Sequence, residues 1–205
     1  MKKKILFTAS TYSHIRNFHL PYLEYYQERG WEVHVACGGT VQELSCADRV
    51  ICLPLKKSMS APDNFRASKL LRSIIRQENY SLITTHTSLA AFFTRLALLG
   101  MKNRPPLVNV VHGYLFDDDT PFLKQQLLLT AERITAPCTD LLLTMNDWDY
   151  QAALQYRLGK QIESIPGIGA FMRTFSYLSS PIKQKALQSA FRKTQTGSSY
   201  SSFVL

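Results

Sequence analysis

Short apolar runs alternate along this chain with stretches of helical periodicity, and this alternation limits the fold more than any other feature. Residues 4–9, 31–37, 49–53, 82–85, 107–111, 141–145 and 162–165 are apolar, too short for buried helices, and mostly followed by turn-forming residues, so they read as strands. Between them, residues 17–29, 65–78, 88–99, 122–133 and 147–156 read as helices. In the first helix Phe18, Leu20, Tyr22, Leu23 and Tyr26 supply the apolar side; in the second Phe65, Leu70, Leu71, Ile74 and Ile75 do. Thr120 is the expected N-cap of the 122–133 helix, with Pro121 at its first position. Strands separated by helices of this length imply βαβ units. The predicted fold is α/β: a Rossmann-like parallel sheet with helices on both faces and right-handed crossovers.

In such sheets ligands bind beyond the carboxyl ends of the strands. The run Leu107-Val108-Asn109-Val110-Val111 ends in His112-Gly113, a titratable side chain followed by a residue free to take positive φ. His86 follows the 82–85 strand and His14 the 4–9 strand, so three of the five histidines fall at strand ends. His34, inside a strand, and His19, on the first helix, read as structural. The first strand-to-helix loop, residues 10–17, has no glycine and so lacks the G-x-G-x-x-G dinucleotide fingerprint. It offers hydroxyls, His14 and Arg16 at a helix N-terminus, a place that suits anions.

The 205 residues suffice for one good-sized domain, and none of the apolar runs approaches the roughly 20 residues that span a bilayer. Cys37, Cys46, Cys52 and Cys138 form neither a C-x-x-C pair nor a zinc-ligand spacing. Cys37 and Cys52, in or beside strands, read as small buried hydrophobes in a reducing cytoplasm. The formal net charge of +9 favours anionic partners. Its basic residues are dispersed and no RNP-type aromatic motif occurs, which argues against nucleic acid. The run Asp117-Asp118-Asp119 has the look of a D-x-D metal motif, but acids ahead of a helix have a simpler role at its positive end, and no metal centre is expected. Neither a G-x-S-x-G elbow nor a Ser-His-Asp order supports a hydrolase.

Several segments together resemble one family. Residues 8–23 (TASTYSHIRNFHLPYL) with Gly30-Trp31-Glu32-Val33 look like the opening of bacterial family 4 glycosyltransferases of the capsule and exopolysaccharide type. His86-Thr87-Ser88-Leu89-Ala90 is similar to that family's H-T-P-x-A segment, with Ser88 for proline. Val111-His112-Gly113-Tyr114-Leu115-Phe116 is similar to its H-G-F-H-F segment, with Leu115 for the second histidine. Glu132-Arg133, Thr139-Asp140, Asn146, Asp149-Tyr150 and Ile165-Pro166-Gly167-Ile168-Gly169 follow in the family's order, though the acid usual after P-G-I-G is absent from Ala170-Phe171-Met172-Arg173.

The resemblance implies one half of a GT-B architecture, two Rossmann-like domains facing across a cleft. Residues 1–169 would be the N-terminal, acceptor-side domain. Residues 170–205, basic and then Ser/Thr-rich, would be a linker and the start of a C-terminal domain. The implied reaction is retaining transfer of a sugar from a nucleotide-sugar donor to a saccharide or lipid-linked acceptor in cell-surface polysaccharide synthesis. No cofactor is implied, and the chain alone is expected to be inactive without a C-terminal domain or a partner chain supplying one. His112 is the expected catalytic residue. Tyr12, Ser13, His14, Arg16, Asn17, His86, Gly113 and Tyr114 are the expected substrate-binding residues. The expected location is cytoplasmic, peripheral on the inner face of the membrane, whose anionic surface is a candidate partner. Two alternatives stay open: a vestigial, non-catalytic module that binds a membrane or partner protein, and half of a GT-B sugar-nucleotide epimerase.

Overall fold

A computed structural model describes residues 2–165. The described chain runs β1 (Lys4–Ala9), α1 (Tyr12–Phe18), α2 (Leu20–Glu28), β2 (Glu32–Gly38), β3 (Arg49–Leu53), α3 (Pro62–Glu78), β4 (Leu82–His86), α4 (Ser88–Leu98), β5 (Leu107–Val111), α5 (Phe122–Thr135), β6 (Leu141–Thr144), α6 (Asp147–Tyr156) and β7 (Gln161–Ser164). The strands form one seven-stranded sheet in the order β3-β2-β1-β4-β5-β6-β7. All its pairings are parallel.

The central strands are buried nearly end to end, as expected where both faces of a parallel sheet are covered. Ile5, Phe7, Val33 and Val35 pack with Ile15, Tyr22, Leu23 and Tyr26 of α1 and α2 on one face. Leu6, Ala36, Ile51, Ile83 and Leu107 pack with Leu71, Ile74 and Ile75 of α3 and Ala97 and Leu98 of α4 on the other. Val111 and Leu142 pack with Leu129 of α5 and Ala153 of α6.

From β1 the chain steps outward to β2 and β3, then crosses back over α3 to enter β4 on the other side of β1. The strand order therefore reverses between β1 and β4. The helices leaving these two neighbours, α1 and α4, lie on opposite faces, and a crevice opens at their carboxyl ends.

Several local expectations need correction. The first helix is two, α1 and α2, and it begins at Tyr12, so most of the expected loop 10–17 is helical. Thr11 caps α1 by accepting the His14 amide hydrogen. Phe18 is exposed rather than inward. The buried side of α3 is Asn64, Ala67, Ser68, Leu71, Ile74 and Ile75, while Phe65 and Leu70 face outward. Asn64 is inward because its amide satisfies Lys56 and Ser58, which fixes the loop entering the helix. Pro121, not Thr120, is the N-cap residue of α5; the Thr120 hydroxyl donates to Asp117 instead. Cys52 is exposed, while Cys37, Cys46 and Cys138 are buried. The expected boundary at 169/170 lies outside the described residues.

Candidate functional site

Four histidines converge at the crevice. His86 is the last residue of β4 and is fully buried, its ring stacked on Phe7 of β1 and its Nε2 within 3.1 Å of the Thr84 hydroxyl. His112 follows β5. His14 lies on the first turn of α1 and meets the His112 ring at 5.1 Å between centroids. His19 is the fourth. It occupies the break between α1 and α2, ending one helix and capping the next, and is 1% exposed. Its ring lies 3.9 Å from that of His86, 5.0 Å from His14 and 6.2 Å from His112.

Sequence reasoning placed His14, His86 and His112 in the crevice and set His19 aside as structural. A residue five positions after His14 on an uninterrupted helix points elsewhere. The signal was Pro21: without an amide hydrogen it suits the first turn of a new helix, so a break ahead of it was readable. His34, expected to be structural, is so: it bonds the Tyr80 hydroxyl at 2.7 Å and the Glu32 carboxylate at 2.9 Å.

Burial removes water from these rings and so disfavours the imidazolium form. It pushes His19 down to about 3, with the neighbouring His14 and His112 adding to the effect. It pushes His112 down to about 4, with His14 contributing. His14 is lowered by burial, and His86 falls well below the ordinary histidine value. At neutral pH the cluster is uncharged, and each ring is able to accept a hydrogen bond at one nitrogen and donate at the other. Buried Nε2 of His14 and of His112, and both ring nitrogens of His19, have no hydrogen-bond partner among the described residues.

The loop after β5 is held from two sides. Gly113 has φ of +115°, outside the range that side-chain-bearing residues adopt readily. Its carbonyl accepts a hydrogen bond from the Ser88 hydroxyl at 2.9 Å, which a proline at position 88 could not give. The Tyr114 amide donates to Asp149 on α6 at 3.2 Å, and the Tyr114 ring stacks on Phe116. Thr87, at positive φ ahead of α4, is tied to the end of β1 because the Ser10 amide donates to its hydroxyl at 3.1 Å. Gly38 lets β2 approach the same place, since a Cβ there would lie 2.6 Å from the Ser10 carbonyl oxygen.

The remaining expected residues are scattered. Tyr12 is buried in the core beneath α1, so its ring packs rather than lining an open cleft. Ser13, Arg16 and Asn17 are exposed, with the Ser13 hydroxyl 3.1 Å from that of Thr11. The acidic run is engaged locally: Asp117 accepts from Thr120 and Asp118 from the Trp148 indole at 2.9 Å. Sequence reasoning also missed the support behind Gly113. Arg95, fully buried on α4, bonds Glu132 of α5 at 2.8 Å, and burial of the nearby Tyr114 phenol raises its pKa.

Comparison with known proteins identifies a family and a fold. The model of Glycosyltransferase Family 4 matches residues 22–167. Putative glycosyltransferase EpsD of Bacillus subtilis (strain 168) is 32% identical over 190 residues, covering 92% of this chain and 49% of EpsD. The chain thus spans about half the length of that relative. A portion of sucrose-phosphate synthase from Thermosynechococcus elongatus matches with a TM-score of 0.57 at 13% identity, over 96% of this chain and all of that one. S. aureus MnaA, solved with UDP, matches with a TM-score of 0.53 at 18% identity, over 81% of this chain and 44% of its own. At such identities the structural likeness is one of fold.

Proposed function

The chain belongs to glycosyltransferase family 4, and from that premise we propose that it carries the acceptor-side half of an enzyme that moves a sugar from a nucleotide-sugar donor to a saccharide or lipid-linked acceptor, with retention of configuration, in cell-surface polysaccharide synthesis. The observation that carries this reading is the neutral imidazole of His112 beside the positive-φ turn at Gly113, at the carboxyl end of the sheet where the strand order reverses. A neutral ring in a partly dry crevice can donate to or accept from a sugar hydroxyl without reorganising, and such a bond lowers the barrier if it strengthens as the glycosidic bond breaks. His14 lies within ring contact of His112 and is partly open to solvent, which suits an acceptor hydroxyl. The nucleotide is assigned to a second domain corresponding to the part of EpsD that this chain does not match.

The test is transfer by this chain joined to a nucleotide-binding second domain, with donor and acceptor supplied. His112→Ala should lower kcat by about 10²-fold, the scale of one transition-state hydrogen bond, with KM for the donor little changed. Full activity of that variant would overturn the assignment, and efficient transfer by the 205-residue chain alone would overturn the division of labour. Conversion of the donor to its epimer without acceptor would favour the epimerase reading.

A second observation bears on location. Among the described residues no helix is long and apolar enough to cross a membrane. Yet α5 presents Phe122, Leu123, Leu127 and Ile134 to solvent, with exposed Lys124 and Arg133 on the same helix. With a net charge of +9, this stripe suits shallow contact with an anionic bilayer and would bring a lipid-linked acceptor within reach. Co-sedimentation with vesicles containing anionic lipid should fall in a Leu123→Ser/Leu127→Ser variant and with rising salt.

A further inference from the structure

We propose that His14, His19 and His112 form a binding site for a divalent transition-metal ion of the zinc class. One ring nitrogen from each lies within 4.8 Å of the others. Tetrahedral ligands at the usual Zn–N length stand roughly 3.4 Å apart, so small ring rotations close the set. The three come from separate supports: α1, the α1/α2 break, and the end of β5.

The second observation is His19 itself. It is 1% exposed, and neither of its ring nitrogens has a hydrogen-bond partner among the described residues. Burying a polar nitrogen without a partner costs about 1–3 kcal/mol, so a ligand in the crevice is the economical explanation. The Nε2 atoms of His14 and His112 are likewise buried and unpartnered. Three imidazoles and no carboxylate make a donor set for zinc, copper, nickel or cobalt and a poor one for magnesium or calcium. Three protein ligands leave a fourth position to water. His112 and His14 are the rings assigned to the sugar and its acceptor, so the ion and the substrates compete for this site. His14 and His112 keep part of their surface open, which provides the path in.

The other triad of the right composition among the described residues, Glu32, His34 and Glu78, is already committed. Lys4 bonds both of its carboxylates, at 3.0 and 2.7 Å, and His34 bonds Glu32.

The 205-residue chain, freed of metal by chelation, is titrated with Zn²⁺ against a chromophoric competitor. This readout does not depend on glycosyl transfer. We expect one ion per chain with a dissociation constant of about 10 μM or tighter. His14→Gln and His112→Gln, the two partly exposed ligands, should each weaken binding about tenfold or more, while Cys52→Ser, which removes the exposed thiol, should leave it unchanged. Circular dichroism and thermal melting confirm that each variant is folded; if one is not, the other decides. Binding weaker than about 1 mM, or binding undiminished in the folded histidine variants, would overturn the proposal.

Discussion

Asp149 of α6 accepts the backbone amide of Tyr114 at 3.2 Å, so the helix after β6 fixes the loop that follows β5. The same carboxylate accepts from the Asn146 side chain at 2.6 Å, while Asn146 caps α6 by accepting the Asp149 amide. Asp149 is 2% exposed. Asp149→Ala removes the acceptor of the half-buried Tyr114 amide and of the exposed Asn146 side chain, and we expect a loss of about 1–2 kcal/mol in urea denaturation. Asp149→Asn keeps an acceptor for Tyr114 and should lose less.

Gly38 has a different constraint. A Cβ there would stand 2.6 Å from the Ser10 carbonyl oxygen and 3.0 Å from the Leu55 Cβ. Because the first obstacle is backbone, it cannot rotate away, and Gly38→Ala should cost about 1–3 kcal/mol. The Ser10 segment it displaces also holds Thr87. Loss of the crevice geometry should show as shifted imidazole resonances of His86 and His112 by NMR. Unchanged spectra would mean that the strand end yields without passing on the displacement.

Arg95 and Glu132 form an ion pair with side-chain exposures of 0% and 11%. Removing one partner leaves a buried charge uncompensated. Glu132→Ala should therefore destabilise by about 3–5 kcal/mol, measured by guanidinium unfolding, whereas a double change to apolar residues of similar volume should restore much of that. Equal losses in the single and double variants would show that the pair contributes through packing alone.

Asp140 predicts a pH dependence. Burial on its own raises its carboxyl, but hydrogen bonds and charge from Arg104, with help from Lys160 and the Leu107 amide, more than offset this and hold it below its ordinary 3.8. The folded form thus releases the proton more readily than the unfolded chain. The resulting stability is complete above the unfolded value and is lost as pH falls through the lower, folded one. Denaturant midpoints should drop in the parent as pH falls below about 4 and change less in Asp140→Asn, which should be the weaker protein at pH 7.

The architecture was legible because burial on both faces writes strands as continuous apolar runs. The observed β1, β3 and β5 match residues 4–9, 49–53 and 107–111. What the sequence hid were choices made by tertiary packing. Phe65 and Leu70 satisfy helical periodicity yet face solvent, because Asn64 and Ser68 occupy the inward side of α3. His14, His86 and His112 were legible by position at strand ends. His19 was not, because its contribution depends on a break in a helix. Arg95 and Asp149 were not either, because their partners lie 37 and 35 residues away in the chain.

The pairing of β4 with β5 sets His86 opposite Val110, and Val110 faces α1 and α2. His112 lies two residues further along, on the same side by the period of the strand. The ladder thus works as a ruler: backbone hydrogen bonds, not attraction between imidazoles, set how far apart the two rings stand. A slip of one residue would keep nearly every apolar contact type while sending one ring through to the α3 and α4 side. Any redesign of this crevice must therefore leave the rungs beneath the rings alone.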